Sequence, residues 1–285
     1  MPRVLRFCDL TPLLTAKPDP HLIEEDFMAI SIDLQGKRAL VCGASSGIGE
    51  AIARRLDKAG AHVILLARRE EKLAGLVAEL DHATALSADM DDLAGFARVI
   101  QDEIEANGGL DIVVHNTGGP ASGPILEKSE EDLVAVFARH QLTAHFLVRA
   151  ALPHMEQAGY GRFVQVLSTS AKEPIENLGL SNAIRAGIVG WAKTVSNELP
   201  AGVTINNVLP GFTATDRLGE LKAAISKRTG AAEDDVEEGW VSTIPEGRLG
   251  QPSEIADAVL FLASPMASYI RGLSLPVEGG RLKGI

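Results

Sequence analysis

A glycine-rich turn between an apolar run and a helical pattern restricts the fold of this chain more than any other feature. The apolar run over residues 39–42 stops at Gly43, and G-A-S-S-G-I-G over residues 43–49 opens the helical pattern. Glycines here allow a tight turn, close approach of the backbone to a pyrophosphate, and close packing of helix on strand. The free N–H groups at the helix start favour an anion. The predicted dinucleotide contacts are Gly43, Ser45, Ser46, Gly47, Ile48 and Gly49.

Short apolar runs alternate with longer helical patterns along the rest of the chain. The predicted strands are 38–42, 61–66, 83–87, 110–115, 162–168, 203–208 and 273–277. The predicted helices are 47–59, 69–80, 90–106, 130–157, 180–198, 216–228 and 252–263. Such alternation implies right-handed crossovers and a parallel sheet covered on both faces. We therefore expect an α/β fold, a single Rossmann-like doubly wound domain with a seven-stranded, mainly parallel sheet flanked by helices.

The first residues differ from this pattern. Residues 1–27 contain four prolines and neither a sustained periodicity nor the features of a signal peptide. We expect residues 1–35 to form a loosely ordered extension and residues 36–285 to form the nucleotide-binding domain. Met28, which opens the stretch before the first strand, is an alternative start of the protein.

Composition excludes some classes of partner. Lysine and arginine number 27 against 38 aspartates and glutamates, a net charge of −11, which argues against nucleic acid as a partner. No apolar stretch reaches the length of about 18 residues that spans a membrane. The two cysteines, Cys8 and Cys42, are poorly placed for a disulfide or a metal site, so we predict no metal and a cytoplasmic location.

The end of the second strand indicates which cofactor is bound. NAD-selective folds place an acidic residue near this point, where it hydrogen-bonds the adenosine ribose. Here Ala67 stands there, followed by Arg68 and Arg69, whose guanidinium groups suit a 2′-phosphate. NADP(H) is therefore preferred over NAD(H). The alternative is that both arginines solvate a helix start beside Glu70 and Glu71.

Further motifs make the chain similar to the short-chain dehydrogenase/reductase family from residue 36 to residue 285. The fourth strand ends H-N-T-G, close to the family's N-N-A-G, and residues 209–215 resemble its P-G-x-x-x-T segment. The resemblance implies that the third-strand end lies at the adenine, that Asn116 secures the sheet, and that the later segment receives the nicotinamide. The implied cofactor contacts are Asp89, Met90, Asn116, Gly118, Pro210, Gly211 and Thr213.

The catalytic positions depart from that family. Its members usually carry Asn, Ser, and a Tyr and Lys in Y-x-x-x-K. Here Ser168 keeps the serine position, whereas Ser181, Arg185 and Gln141 stand where tyrosine, lysine and asparagine are expected. Arginine is effectively never deprotonated and an aliphatic hydroxyl is a far weaker acid than a phenol. Arg185 is also expected to hold the ribose and stabilise a developing alkoxide.

Three other side chains are candidates to replace the tyrosine. Lys172, in the loop after Ser168, is a possible proton donor or a solvated lysine paired with Glu173. His145 is one helical turn beyond Gln141, and either feeds protons from solvent or packs within the helix. His115 is more simply a packing residue at the end of a strand. The only tyrosines, Tyr160 and Tyr269, are not expected near the cofactor.

The polar, helical stretch at about residues 213–246 corresponds to the mobile substrate lid of the family, with an apolar wall from Leu218, Leu221, Ile225 and Trp240. The family also associates through the helices placed here at 130–157 and 180–198, which implies a homodimer or homotetramer.

Two functions remain open. The first is an NADP(H)-dependent oxidoreductase that interconverts a small-molecule carbonyl and alcohol with an atypical active site. The second is a catalytically silent NADP(H)-binding sensor or structural module. Retained Ser168 favours the first, and the altered Ser181 and Arg185 favour the second.

Overall fold

The computed structural model describes residues 31–284. The predicted arm over residues 1–27 and the alternative start at Met28 lie outside the described residues. Within the described part, no helix combines the length and apolar character needed to cross a membrane. Leu34 is buried against the core, so packing of the domain begins just before its first strand.

Seven strands form one sheet in the order β3-β2-β1-β4-β5-β6-β7, and all neighbouring pairs are parallel. The prediction of a doubly wound sheet is confirmed, and the sheet is entirely rather than mainly parallel. The strands are β1 Arg38–Cys42, β2 His62–Ala67, β3 Ala83–Ser87, β4 Ile112–Asn116, β5 Gly161–Val166, β6 Val203–Pro210 and β7 Ser274–Val277.

Helices cover both faces because alternate strand residues enter two separate cores. Val41 of β1 packs with the core that contains the helices α1 and α9, whereas Leu40 and Cys42 join the core that contains α3 and α5. The helices are α1 Gly47–Lys58, α2 Glu70–Glu79, α3 Leu93–Asn107, α4 Glu130–Phe137, α5 Thr143–Ala158, α6 Gly179–Glu198, α7 Asp216–Thr229, α8 Glu233–Val241 and α9 Pro252–Ala263.

The predicted helix 130–157 is divided in the structure. A π-helical turn over Ala138–Leu142 separates α4 from α5. A π turn adds a residue to the local repeat, so spacings counted at 3.6 residues per turn no longer identify a shared face. Gln141 is buried and His145 is exposed, which corrects the expectation that the two share a face. The turn also directs Arg139 and His140 inward, toward strands β3 and β4.

Candidate active site

A cleft of about 460 Å³ lies at the carboxyl ends of the strands, where the strand order reverses between β1 and β4. Ligands of doubly wound sheets bind at this reversal, and the volume falls within the usual range for small-molecule sites. The turn after β1, the loops after β2, β3, β4, β5 and β6, and the start of α7 line the cleft.

The glycine-rich turn has no space for side chains at two of its positions. A Cβ atom on Gly49 would lie 2.1 Å from the Gly43 carbonyl oxygen, and one on Gly43 would lie 2.7 Å from the Asn116 carbonyl oxygen. Gly43 also has a φ of 64°. Asn116 donates from Nδ2 to the Cys42 carbonyl oxygen at 3.3 Å, which ties β4 to β1 beneath the turn. Gly49 thus shapes the turn from behind and does not line the cleft.

Arg69 lies across two hydroxyls of the turn. Its Nη2 donates to Ser45 Oγ and to Ser46 Oγ, both at 2.8 Å. Ser46 precedes α1 but its side chain does not cap the helix, so the first N–H groups of α1 are not used by that hydroxyl. A guanidinium, two hydroxyls and a helix N-terminus together form a donor-rich surface that suits phosphate oxygens.

The side of the cleft predicted to hold the adenine is bordered by three ion pairs. Arg68, which is two-thirds exposed, lies 3.6 Å from Asp89 and 4.0 Å from Asp91. Arg139 also pairs with Asp91, and its Nη2 lies 2.7 Å from Asp91 Oδ2. Arg139 also lines the cleft and was missed from the sequence, because only the π turn brings it to the end of β3.

The opposite end of the cleft contains Ser168, Ser181 and Arg185. Ser168 follows β5 and accepts a hydrogen bond from the Ser170 backbone N–H at 3.1 Å. Ser181 accepts from Arg185 Nε at 3.1 Å across one turn of α6. Arg185 Nη1 donates to the Val166 carbonyl oxygen at 3.4 Å. Burial lowers the pKa of Arg185 to about 10, so the side chain stays cationic near neutral pH.

All of the predicted catalytic and cofactor-binding residues line the cleft except Gly49, Gln141 and Lys172. Lys172 is exposed and forms no ion pair with Glu173 among the described residues; instead Glu173 accepts from the Lys283 backbone N–H. Gln141 is 8% exposed and its Nε2 has no hydrogen-bond partner. The loop segment of Pro210, Gly211 and Thr213 borders the cleft below α7, as predicted by the resemblance.

Two histidines lie behind the cleft. His115 contacts Gln165 at 2.7 Å and Thr143 at 2.9 Å, which supports its reading as a packing residue. His140 Nδ1 lies 2.6 Å from Oγ1 of Thr117, a residue that lines the cleft, whereas its Nε2 is buried without a partner. Burial, the charge of Arg185 and other nearby groups lower the pKa of His140 to about 2, so its ring is neutral.

No described tyrosine borders the cleft. Tyr160 donates its hydroxyl to the Ala263 carbonyl oxygen at 2.6 Å, and burial raises its pKa to about 12. Tyr269 is fully exposed in the C-terminal part of the chain. Neither replaces the missing phenol within one chain.

Helix α7 borders the cleft, and α8 packs against α7. Leu218 and Leu221 of α7 line it as predicted, whereas Ile225 does not. Trp240 of α8 instead stacks on Phe212, with ring centroids 5.1 Å apart. Arg217 reaches across the mouth to the Pro120 carbonyl oxygen at 3.4 Å.

A parallel doubly wound sheet with a tight glycine turn and a donor-rich cleft at its reversal point defines a dinucleotide-binding protein of the Rossmann type. A family model described as Enoyl-(Acyl carrier protein) reductase matches residues 43–281. The chain belongs to the short-chain dehydrogenase/reductase family.

Relatives of this chain are named reductases. The 3-oxoacyl-[acyl-carrier-protein] reductase FabG of Vibrio harveyi is 36% identical over 256 residues, 87% of this chain and 98% of the relative. The NADPH-dependent reductase BacG of Bacillus subtilis is 30% identical over 256 residues, 87% of this chain and 99% of the relative. The solved L-sorbose reductase of Gluconobacter frateurii, complexed with NADPH and L-sorbose, has a TM-score of 0.84 at 27% identity and covers 90% of this chain and 100% of its own.

Proposed function

We propose that this protein is an NADPH-dependent oxidoreductase that interconverts a small-molecule carbonyl and the corresponding alcohol through an atypical active site. The proposal rests on two hydroxyl groups at one end of the cleft that have a free proton to donate. Ser168 Oγ and Ser181 Oγ each accept a hydrogen bond from within the chain, and neither hydroxyl proton has an acceptor among the described residues. Both protons are therefore available to a ligand oxygen.

The residues of the cleft fit NADPH. Arg69, with Ser45 and Ser46, would hold the 2′-phosphate, and the first turn of α1 would hold the diphosphate. Ala67 leaves no carboxylate at the ribose to repel a phosphate. The names of the B. subtilis and G. frateurii relatives also refer to NADPH. When bound, the cofactor supplies the hydride for the carbonyl carbon.

The two serines and Arg185 act on the carbonyl oxygen. As negative charge develops there, two hydroxyl donors and a buried guanidinium stabilise it. Because an aliphatic hydroxyl is a much weaker acid than a phenol, the serines orient and stabilise the oxygen, and the proton comes from water in the cleft. Helix α7 shields the reacting carbon with Leu218 and Leu221.

The decisive experiment mixes purified protein with NADPH and a broad carbonyl panel and follows nicotinamide absorbance. Ser168→Ala and Ser181→Ala should each lower kcat about 100-fold, the usual cost of an oxyanion donor, with NADPH affinity unchanged. Thr194→Ala, on the exposed face of α6, is the matched control and should behave as wild type. Serine variants as active as wild type would refute the roles given to both hydroxyls.

A second function follows from the substitutions at the positions of tyrosine and lysine. If the protein binds NADPH tightly and reduces nothing across the panel, it is a silent NADP(H)-binding sensor or structural module. The hydrogen bond between Ser181 and Arg185 favours this alternative, because the two side chains bind each other and neither is an acid comparable to the tyrosine phenol.

We also propose that the chain forms a homodimer or homotetramer through α4 and its neighbours. Val134 is 68% exposed and Phe137 49% exposed on α4, an unusual exposure for large apolar side chains. Light scattering should give a mass above one chain, and Val134→Arg should lower it. A monomeric wild type would refute the proposal.

A further inference from the structure

Arg185 is a buried cation without a counter-charge in the described part of the chain. Its side chain is 7% exposed, and its partners are a hydroxyl and a backbone carbonyl rather than a carboxylate. Burying an unpaired charge is costly, so the guanidinium is expected to meet an anion when the site is filled. Its Nη2 group, at the cleft, donates to no described residue, which leaves two N–H groups for that anion.

Three acidic residues line the cleft, and none of them forms an ion pair with Arg185. Five arginines and three aspartates line it, a positive excess in a chain of net charge −11. Asp89 and Asp91 lie with Arg68 and Arg139 on the adenine side. Asp216 stands exposed at the start of α7 and forms no ion pair among residues 31–284.

The groups behind Arg185 do not supply its counter-charge. Gln141, on the π turn against which α6 packs, is uncharged and does not line the cleft. The neighbouring His140 is neutral and therefore supplies no competing cation. This side of the cleft thus contains the unused Nη2 donors of a fixed positive charge, and no described carboxylate pairs with it.

We propose that the substrate is an oxo acid whose carboxylate binds Arg185, close to the carbonyl that is reduced. This inference rests on the proposed function, in which the phosphates of the cofactor are held at Arg69 and α1, so the counter-charge for Arg185 comes with the substrate. The free Nη2 group of the guanidinium donates charge-assisted hydrogen bonds to that carboxylate.

The hydrogen bond between Arg185 and Ser181 narrows the class of oxo acid further. Because Arg185 Nε donates to Ser181 Oγ, a carboxylate on the neighbouring Nη2 lies only a few bonds from a carbonyl oxygen held by Ser181. This favours 2-oxo or 3-oxo acids. Leu178, Leu218 and Leu221 also line the cleft and offer an apolar surface to the remaining chain of such an acid.

The test uses the complex of the full-length protein with NADPH and two unreactive probes, N-butyloxamate and its neutral counterpart N-butyloxamide. Titration calorimetry should show the anion binding at least tenfold more tightly than the amide. Arg185→Met should abolish that preference, Arg185→Lys should keep part of it, and Arg98→Met, on the exposed face of α3, should leave it unchanged.

Equal affinity of the wild-type complex for both probes would overturn the proposal by itself, whatever the stability of the variants. A preference for the anion that survives in Arg185→Met would overturn the role of Arg185. Both readouts are independent of turnover, whereas failure of the wild type to bind NADPH would instead count against the proposed function.

Discussion

Arg185 donates from Nε to Ser181 Oγ at 3.1 Å, so the two residues predicted to stand at the family's lysine and tyrosine positions form a direct pair. In the family the corresponding pair transfers a proton through a phenol. The pair seen here can orient and charge the site but lacks a comparable acid. Placing a phenol at position 181 therefore tests whether the supply of a proton limits the reaction.

We expect the double variant Ser181→Tyr/Arg185→Lys to raise kcat about 100-fold on a carbonyl without a carboxylate, because general acid catalysis contributes about that factor or more. The rate is measured from NADPH absorbance. Ser181→Phe/Arg185→Lys is the matched control, since it has nearly the same volume without the hydroxyl. Equal rates for the two double variants would show that proton supply does not limit the reaction.

The second prediction separates the two arginines after β2. Arg69 contacts both serine hydroxyls of the glycine turn, whereas Arg68 is exposed and paired with Asp89. Arg69→Ala should weaken NADPH binding at least tenfold and NADH binding little, since a charge-assisted hydrogen bond contributes about 1.5–3 kcal/mol. Arg68→Ala should have the smaller effect. Fluorescence titration measures all four affinities, and equal losses for both cofactors would refute a 2′-phosphate site at Arg69.

The third prediction concerns the glycine turn. A methyl group on Gly49 would meet the Gly43 carbonyl oxygen at 2.1 Å, and backbone atoms cannot move aside without opening the turn. Gly49→Ala should abolish measurable NADPH binding and lower the melting temperature. Gly75→Ala, in α2, meets nothing within 4 Å and should be neutral or stabilise by up to about 1 kcal/mol. Normal NADPH binding by Gly49→Ala would contradict the packing role of this glycine.

Most of the fold could be predicted from local patterns. The strands that contain Val41 and Ile64 are buried on both faces, so they appear in the sequence as continuous apolar runs. The turn after β1 is recognised by its glycines. The position of Arg69 at the cleft also followed from its place after β2, because the ends of parallel strands meet at one edge of the sheet; its contact with Ser45 and Ser46 was not predicted.

The parts that were missed depend on tertiary structure. Arg139 and His140 sit on a π turn, and a sequence pattern counted at 3.6 residues per turn cannot locate that extra residue. The contact between His140 and Thr117 joins residues from different elements. For the same reason His145 was predicted beside Gln141, whereas it lies exposed.

The last prediction concerns acid stability and the two histidines behind the cleft. Burial lowers the pKa of His140 to about 2 and that of His115 to about 4, whereas the unfolded chain binds these protons near pH 6.5. Between those values the unfolded state holds more protons, so stability is complete above pH 6.5 and is lost as the pH falls. Each histidine should contribute about 1.4 kcal/mol per pH unit to that loss between pH 6 and pH 4.5.

Urea unfolding from pH 7.5 to pH 4.5 measures this slope. His140→Asn should reduce the slope by about one proton, even if its stability at pH 7.5 is lower than that of wild type. Gln157→Asn, at an exposed position on α5 and without a titrating group, is the control and should keep the wild-type slope. An unchanged slope in His140→Asn would mean that this histidine binds its proton at the same pH in the folded and unfolded chain, and the lowered pKa of its buried ring would then be wrong.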